Sequence, residues 1–148
     1  SDPNFGAPPT IGGSAYINNF AELASAGGVT TLYDIDHGAN RLVTQIPPNS
    51  GTLNTVGPLN VDPSELLGFD ILTNLGVAPT NVGYAALSSG GIYRLHTIDL
   101  ATGAAGPGVV SQYGFEGGLA VVPEPATLAL GVLGSLGVLA LALRKRAS

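Results

Sequence analysis

Residues 32–36 read Leu-Tyr-Asp-Ile-Asp, and residues 95–99 repeat the phrase as Leu-His-Thr-Ile-Asp. Apolar and polar residues alternate over 33–36 and 96–99, which is the pattern of a β-strand with one buried face. A small residue followed by tyrosine precedes each copy, at Ala15-Tyr16 and at Gly83-Tyr84. Two strands in succession, occurring twice along the chain, predict an all-β fold built from a repeated unit.

Around these strands, short apolar runs alternate with turn clusters such as Pro47-Pro48-Asn49-Ser50-Gly51 and Ser89-Gly90-Gly91. The 148 residues include 22 glycines and 11 prolines, a composition that favours short strands and turns over a helical bundle. A helical turn is indicated weakly at 18–26 alone. The predicted strands are 14–18, 30–36, 41–45, 67–72, 82–87, 93–100 and 118–122.

Two further glycine-led phrases, at 68–71 and 118–121, mark the start of other units. Units of about 40–65 residues with four short strands suit a β-propeller blade, and closed propellers need about four or more blades. Because at most two blades fit, we expect a partial β-propeller-like repeat module, a fragment of a larger ring or a shortened relative. The predicted organisation is a disordered or linker N-terminus at 1–13 and an incomplete propeller-like domain at 14–122. A small complete β-sandwich is the alternative.

The C-terminus carries a different kind of signal. From 127 to 143 the chain has no charged residue, and a helix of that length spans about 26 Å, near the short limit for crossing a bilayer. Arg144, Lys145 and Arg146 follow at once. The positive-inside rule makes them the membrane stop and orientation signal. The sequence therefore predicts one C-terminal transmembrane helix, with the preceding domain outside the cytoplasm.

Pro123, Glu124 and Pro125 stand just before this helix. The tripeptide, the apolar helix and the basic cluster together resemble the PEP-CTERM sorting signal of exported proteins in Gram-negative bacteria that make exopolysaccharide. The resemblance assigns 123–148 as a sorting cassette. It implies two partners, the inner membrane and exosortase, a membrane cysteine protease that recognises the tripeptide and removes the helix, and it makes exopolysaccharide a candidate partner. A plain tail anchor is the competing interpretation.

The preceding domain also resembles a known family. The phrases TTLYDID, LLGFDI and YRLHTIDLATGAA, with the segment from 42 to 59, are similar to an uncharacterised domain family of exported bacterial proteins. That family is propeller-like and often ends in the same sorting cassette. The similarity covers roughly 14–121 and implies a fold and a location, but no activity.

Asp34, Asp36 and His37 form the densest polar cluster. Calcium prefers convergent oxygen ligands, but no calcium-binding loop follows these residues, and the second copy of the repeat has Thr97 in place of Asp34. We therefore expect Asp36 and its counterpart Asp99 to support turns by accepting backbone N–H bonds, with no metal site. Lone histidines without ligand spacing, His37 and His96, are predicted to be exposed.

Catalytic patterns are missing: the chain has no cysteine, nucleophile elbow, zinc-binding helix motif or phosphate loop. A carboxylate pair for glycoside chemistry could come only from Glu22, Glu65 and Glu116, whose spacing does not favour it. The tyrosines, which could stack on sugars, are expected to pack in the core or on sheet faces first; they are Tyr16, Tyr33, Tyr84, Tyr93 and Tyr113. We predict no catalytic residues, no cofactor and no enzymatic activity.

The charge distribution excludes one class of partner. Residues 1–122 hold nine acidic residues against only Arg41 and Arg94, so the clustered cations that nucleic-acid binding requires are missing. The predicted function is that of an exported cell-envelope or extracellular-matrix protein. It is a single-pass inner-membrane protein with a periplasmic N-terminal domain before processing, and lies at the cell surface or in the matrix afterwards. The alternatives are a secreted polysaccharide-binding or polysaccharide-cleaving module and an uncleaved membrane-anchored protein.

Overall fold

Eight β-strands form two four-stranded antiparallel sheets in the computed structural model, which describes residues 2, 4–19, 28–74, 80–112, 114–115 and 118–121. No helix occurs in these described residues. The prediction of an all-β fold is therefore confirmed. Neither the propeller-like arrangement nor the C-terminal helix is established by the two sheets, and both stay predictions.

The first sheet is a meander of four consecutive strands. They are β1 (Ile11–Tyr16), β2 (Leu32–Asp36), β3 (Arg41–Gln45) and β4 (Leu53–Pro58). The β2–β3 register places Ile35 opposite Leu42, both fully buried, on the face that contacts the second sheet. Side chains alternate along a strand, so Asp36 and its register partner Arg41 lie on the other face.

The second sheet repeats the meander with β5 (Glu65–Asn74), β6 (Thr80–Ser89), β7 (Ile92–Ile98) and the short β8 (Val109–Val110). The two sheets share one core, in which Ile35 and Leu42 lie with Leu59, Ile71 and Ala85. Full burial of each leucine or isoleucine side chain contributes about 1.5–3 kcal/mol. The apolar faces therefore hold the sheets together.

A close backbone contact joins the sheets at one end. A side-chain carbon added at Gly57 in β4 would overlap the Thr102 carbonyl oxygen in the turn after β7. Nearby, the Ala105 N–H donates to the Leu59 carbonyl oxygen at 2.9 Å. Gly57 is thus required by space, because any side chain there would separate two backbones.

The repeated phrases fall on neighbouring strands in both sheets, but at different places in the strand order. They occupy the first and second strands of the first sheet and the second and third strands of the second sheet. The matching phrases fall on β2 and β7, and the preceding tyrosine phrases fall on their neighbours β1 and β6. The second sheet carries its additional strand, β5, before this pair, whereas the first sheet carries β4 after β3. The two sheets are therefore not two equal copies of one sequence unit.

Strand prediction succeeded where apolar and polar residues alternate and failed where glycine or proline dominates. The ranges 30–36, 41–45, 67–72, 82–87 and 93–100 all fall on observed strands, with small shifts at the ends. β1 starts at Ile11, three residues earlier than the predicted 14–18. β4 and β8 were not predicted, and β4 contains Gly57 and ends in Pro58, residues that are unfavourable inside strands.

The prediction of a strand at 118–122 is wrong for the residues described there, because 118–121 belong to no strand. The Val121 N–H instead donates to the Asp70 side chain, at 2.7 Å from Oδ2. Most of the helical turn indicated at 18–26 lies outside the described residues. In the part of the chain that is described, no helix is long and apolar enough to cross a membrane, and the predicted span 127–143 lies outside that part.

Candidate functional site

The turn between β2 and β3 holds the acidic cluster that the sequence marks as a candidate cation site. Asp34 and Asp36 lie on the same face of β2 and are both buried. Asp36 Oδ2 lies 2.8 Å from Nη2 and 2.9 Å from Nε of Arg41, and Asp36 Oδ1 accepts the Thr10 N–H at 2.9 Å. The Asp36 carboxylate is therefore occupied by an ion pair and a backbone donor.

The pKa values of the two carboxyls in this cluster are shifted in opposite directions. Burial opposes ionisation of Asp36, but hydrogen bonds from Thr10 and Arg41 and the charge of Arg41 outweigh it, so its pKa lies below 3.8. Burial raises the pKa of Asp34 above 3.8, and a hydrogen bond from Ser14 only partly opposes it. Asp34 and Asp36 thus do not offer two free carboxylates. Within the described ranges, no three acidic or histidine side chains are grouped as a metal ion requires.

Asp99 occupies the equivalent position after β7 and has the predicted role. Its Oδ1 accepts the Ala101 N–H at 2.8 Å and its Oδ2 accepts the Thr102 hydroxyl at 2.8 Å. These hydrogen bonds, the one from Ala101 first, lower the pKa of Asp99 below 3.8. The prediction that this residue supports the turn is confirmed. Asp36 also supports its turn, because it accepts the Ala39 N–H. In addition, it forms an ion pair with Arg41.

A cleft of about 410 Å³ opens beside the core, between the core-facing side of β7 and the connection from β4 to β5. Arg94 and His96 line it from alternate positions on β7, with Leu87 and Ile92 as apolar walls and Asp62 on the connection. Alternate residues share one face of a strand, and Ile98, next in this row, belongs to the core. The cleft therefore places two basic side chains on the core-facing side of the sheet.

The prediction that His96 is exposed is wrong, because the residue is only 7% exposed. Its Nδ1 lies 2.8 Å from the Gly106 carbonyl oxygen. His37 is half-buried rather than exposed, and its Nδ1 is buried without a partner among the described residues. The two-residue spacing between His96 and Ile98 could have indicated that the histidine shares the buried face.

The remaining residues with predicted roles are placed only in part. Tyr33 packs against the core as expected, and burial raises its pKa above 10.0, whereas Tyr16 is 39% exposed. Glu65 begins β5. The other residues lie outside the described part of the chain: Glu22, Glu116, Tyr113, Pro123, Glu124, Pro125, Arg144, Lys145 and Arg146.

The approach to the sorting tripeptide is described as far as Val121. The chain passes over β5, where a side-chain carbon added at Gly68 would lie 2.5 Å from the Leu119 nitrogen. The hydrogen bond from Val121 to Asp70 then holds the chain against this strand. Because β5 is an edge strand of its sheet, residues 118–121 lie along a sheet edge.

Comparison with known proteins places these features in a class, an all-β domain of unknown function joined to a sorting motif. The chain matches a domain of unknown function, DUF4394, over residues 1–112, and the PEP-CTERM protein-sorting motif over residues 121–146. Since the first match covers most of the chain, the protein belongs to the DUF4394 family. No curated protein and no solved structure matches it.

The sorting motif confirms the resemblance that the C-terminal sequence indicated. A PEP-CTERM motif implies export and membrane-associated processing by exosortase, a membrane protein. The DUF4394 family is uncharacterised, in agreement with the resemblance stated for the preceding domain. Its propeller-like form remains a prediction.

Proposed function

We propose that this protein is a non-enzymatic component of the cell envelope or extracellular matrix that is delivered by its C-terminal cassette. The helix at 127–143 holds the protein at the inner membrane with its β-domain in the periplasm. Exosortase then recognises Pro123, Glu124 and Pro125 and removes the helix, so that the domain reaches the cell surface or the matrix. The observation that carries the proposal is the sorting motif at 121–146, which directly follows the β-domain.

The environment of the acidic residues supports a structural role for the domain. Asp36 is engaged by Arg41, and Asp99 is engaged by its own turn. General acid–base catalysis by a carboxyl group requires that the group can reach a substrate proton. These two carboxylates are committed to the fold, so they do not supply that chemistry.

Glu124 is the residue on which the sorting proposal is tested. It is the only charged residue between Glu116 and Arg144, and a carboxylate is a strong acceptor for a cationic group of the protease. We expect Glu124→Ala to leave membrane insertion intact and to reduce release of the domain by at least about tenfold, the effect of losing one charge-assisted hydrogen bond. Fractionation of cells that express the full chain with exosortase measures this release.

Two further variants separate recognition from membrane anchoring. Glu116→Ala removes an acidic residue outside the tripeptide and should be released normally. Replacing Arg144, Lys145 and Arg146 by glutamine should instead disturb orientation in the membrane, because it removes the positive-inside signal. Normal release of Glu124→Ala would refute recognition of Glu124, whereas retention of the wild type in the membrane fraction would favour an uncleaved anchor.

A further inference from the structure

Arg94 has no ion-pair partner among the residues that the structure describes, although the protein is acidic. The chain has a net charge of −5, yet among the described residues no carboxylate lies within 4.0 Å of the Arg94 guanidinium, and Arg41–Asp36 is the ion pair found there. Arg94 is half-buried and lies on the core-facing row of β7. Removing a charge from water is costly unless a partner compensates it. Because no described carboxylate pairs with Arg94, the cleft offers this guanidinium to an anion from outside.

The shape of the Arg94 guanidinium indicates which class of anion the cleft favours. Arginine presents a planar set of N–H donors that matches the two oxygens of a carboxylate. The apolar walls, Leu87 and Ile92 with Pro63 and Pro107, suit the carbon skeleton of an organic molecule. A volume of about 410 Å³ lies within the usual range for small-ligand sites. An organic carboxylate fits these features better than an inorganic ion does.

His96 adds a second polar group with a defined orientation. A carbonyl oxygen can only accept, so the Nδ1 atom facing Gly106 carries the proton. In the neutral ring Nε2 is then an acceptor, and it has no hydrogen-bond partner among the described residues. A side-chain carbon at Gly108 would lie 2.5 Å from this Nε2, so the glycine leaves space beside that edge of the ring that any other residue would fill. Nε2 can thus accept a hydroxyl group from a ligand.

We propose that the cleft binds a hydroxylated carboxylate of the sugar-acid class, with its carboxylate on Arg94 and a hydroxyl group on His96 Nε2. Asp62, the acidic residue of the lining, accepts a further hydroxyl group. The same chemistry is presented by a free sugar acid and by a uronic acid residue of an acidic polysaccharide. This inference goes beyond the proposed function and does not depend on the sorting cassette.

Calorimetric titration of the full chain in detergent micelles tests the proposal with D-galacturonate as the probe. D-Galactose keeps the ring and hydroxyl groups but lacks the carboxylate, and cyclohexanecarboxylate keeps the ring and carboxylate but lacks the hydroxyl groups. Each control compound should bind at least about tenfold more weakly than galacturonate, because each loses one of the two polar anchors. Tri-galacturonate distinguishes the two possible ligands. If it binds more tightly than the monomer, the ligand is an acidic polysaccharide, and if it binds more weakly, the ligand is a free sugar acid.

Arg94→Met removes the carboxylate anchor and keeps an extended side chain in the cleft wall. It should abolish the preference for galacturonate over galactose while leaving the unfolding temperature close to that of the wild type. The control variant Asn54→Met changes an exposed residue of β4 outside the cleft and should keep the preference. The proposal is overturned if galacturonate does not bind at millimolar concentration, if either control compound binds equally well, or if the preference survives Arg94→Met.

Discussion

Arg41→Met should destabilise the protein by about 3–5 kcal/mol, because it leaves the buried Asp36 carboxylate without its cation. The side chains of the pair are only 9% and 1% exposed, and Nη2 and Oδ2 are 2.8 Å apart. Chemical denaturation of the full chain in detergent, followed by circular dichroism, measures the change. Arg94→Met, which removes an arginine without an ion pair in the described residues, should cost much less.

The size of this effect should depend on pH in a defined direction. The folded state lowers the pKa of Asp36 below 3.8, so the stability contributed by this carboxylate is complete above the unfolded pKa and is lost as the pH falls through the folded pKa. The difference between wild type and Arg41→Met should therefore shrink below about pH 4. The double variant Asp36→Asn with Arg41→Met should recover most of the loss at pH 7. An equal cost for Arg94→Met would contradict the importance of the ion pair.

Gly57→Ala is the second variant with a large expected effect. The new carbon would overlap the Thr102 carbonyl oxygen, and neither backbone can move without disturbing β4 or the turn after β7. Overpacking of this kind costs typically about 1–3 kcal/mol and occasionally more; we expect about 3 kcal/mol. Asn54→Ala, at an exposed position of the same strand, serves as the control and should cost less than about 1 kcal/mol.

This variant also tests whether the two sheets form one packed body. If they unfold together, Gly57→Ala should shift a single unfolding transition to lower denaturant concentration. A variant with wild-type stability would mean that the contact between Gly57 and Thr102 does not hold the sheets together. Two separate transitions would mean that each sheet folds by itself.

Alternation in the sequence was sufficient to predict the strands but not the partners of their side chains. The phrases at 32–36 and 95–99 located β2 and β7 because Tyr33 and Ile35, like His96 and Ile98, alternate with more polar residues. Arg41 was counted only as one of two cations, since its pairing with Asp36 depends on the register of a hairpin. β4 was missed because Gly57 and Pro58 disfavour strands, and the reason for Gly57 is a contact with a turn 45 residues further along the chain.

The cleft shows the same difference between local pattern and tertiary contact. His96 was expected at the surface because nothing around it resembles a ligand motif, yet it shares the buried face of β7 with Ile98. The carbonyl of Gly106 that orients its ring comes from the connection to β8, which no sequence pattern identified. The sorting cassette, by contrast, consists of neighbouring residues at the C-terminus and could be identified from sequence alone.

The mass of the mature C-terminus tests the account most directly. The full chain is expressed with and without exosortase, and the exported domain is analysed by intact-mass spectrometry. We predict that the domain from the host with exosortase ends near Pro123–Pro125 and lacks 127–143, whereas the chain from the host without it keeps this segment. A chain that still ends at Ser148 in the host with exosortase would contradict the proposal that this protein is delivered by its sorting cassette.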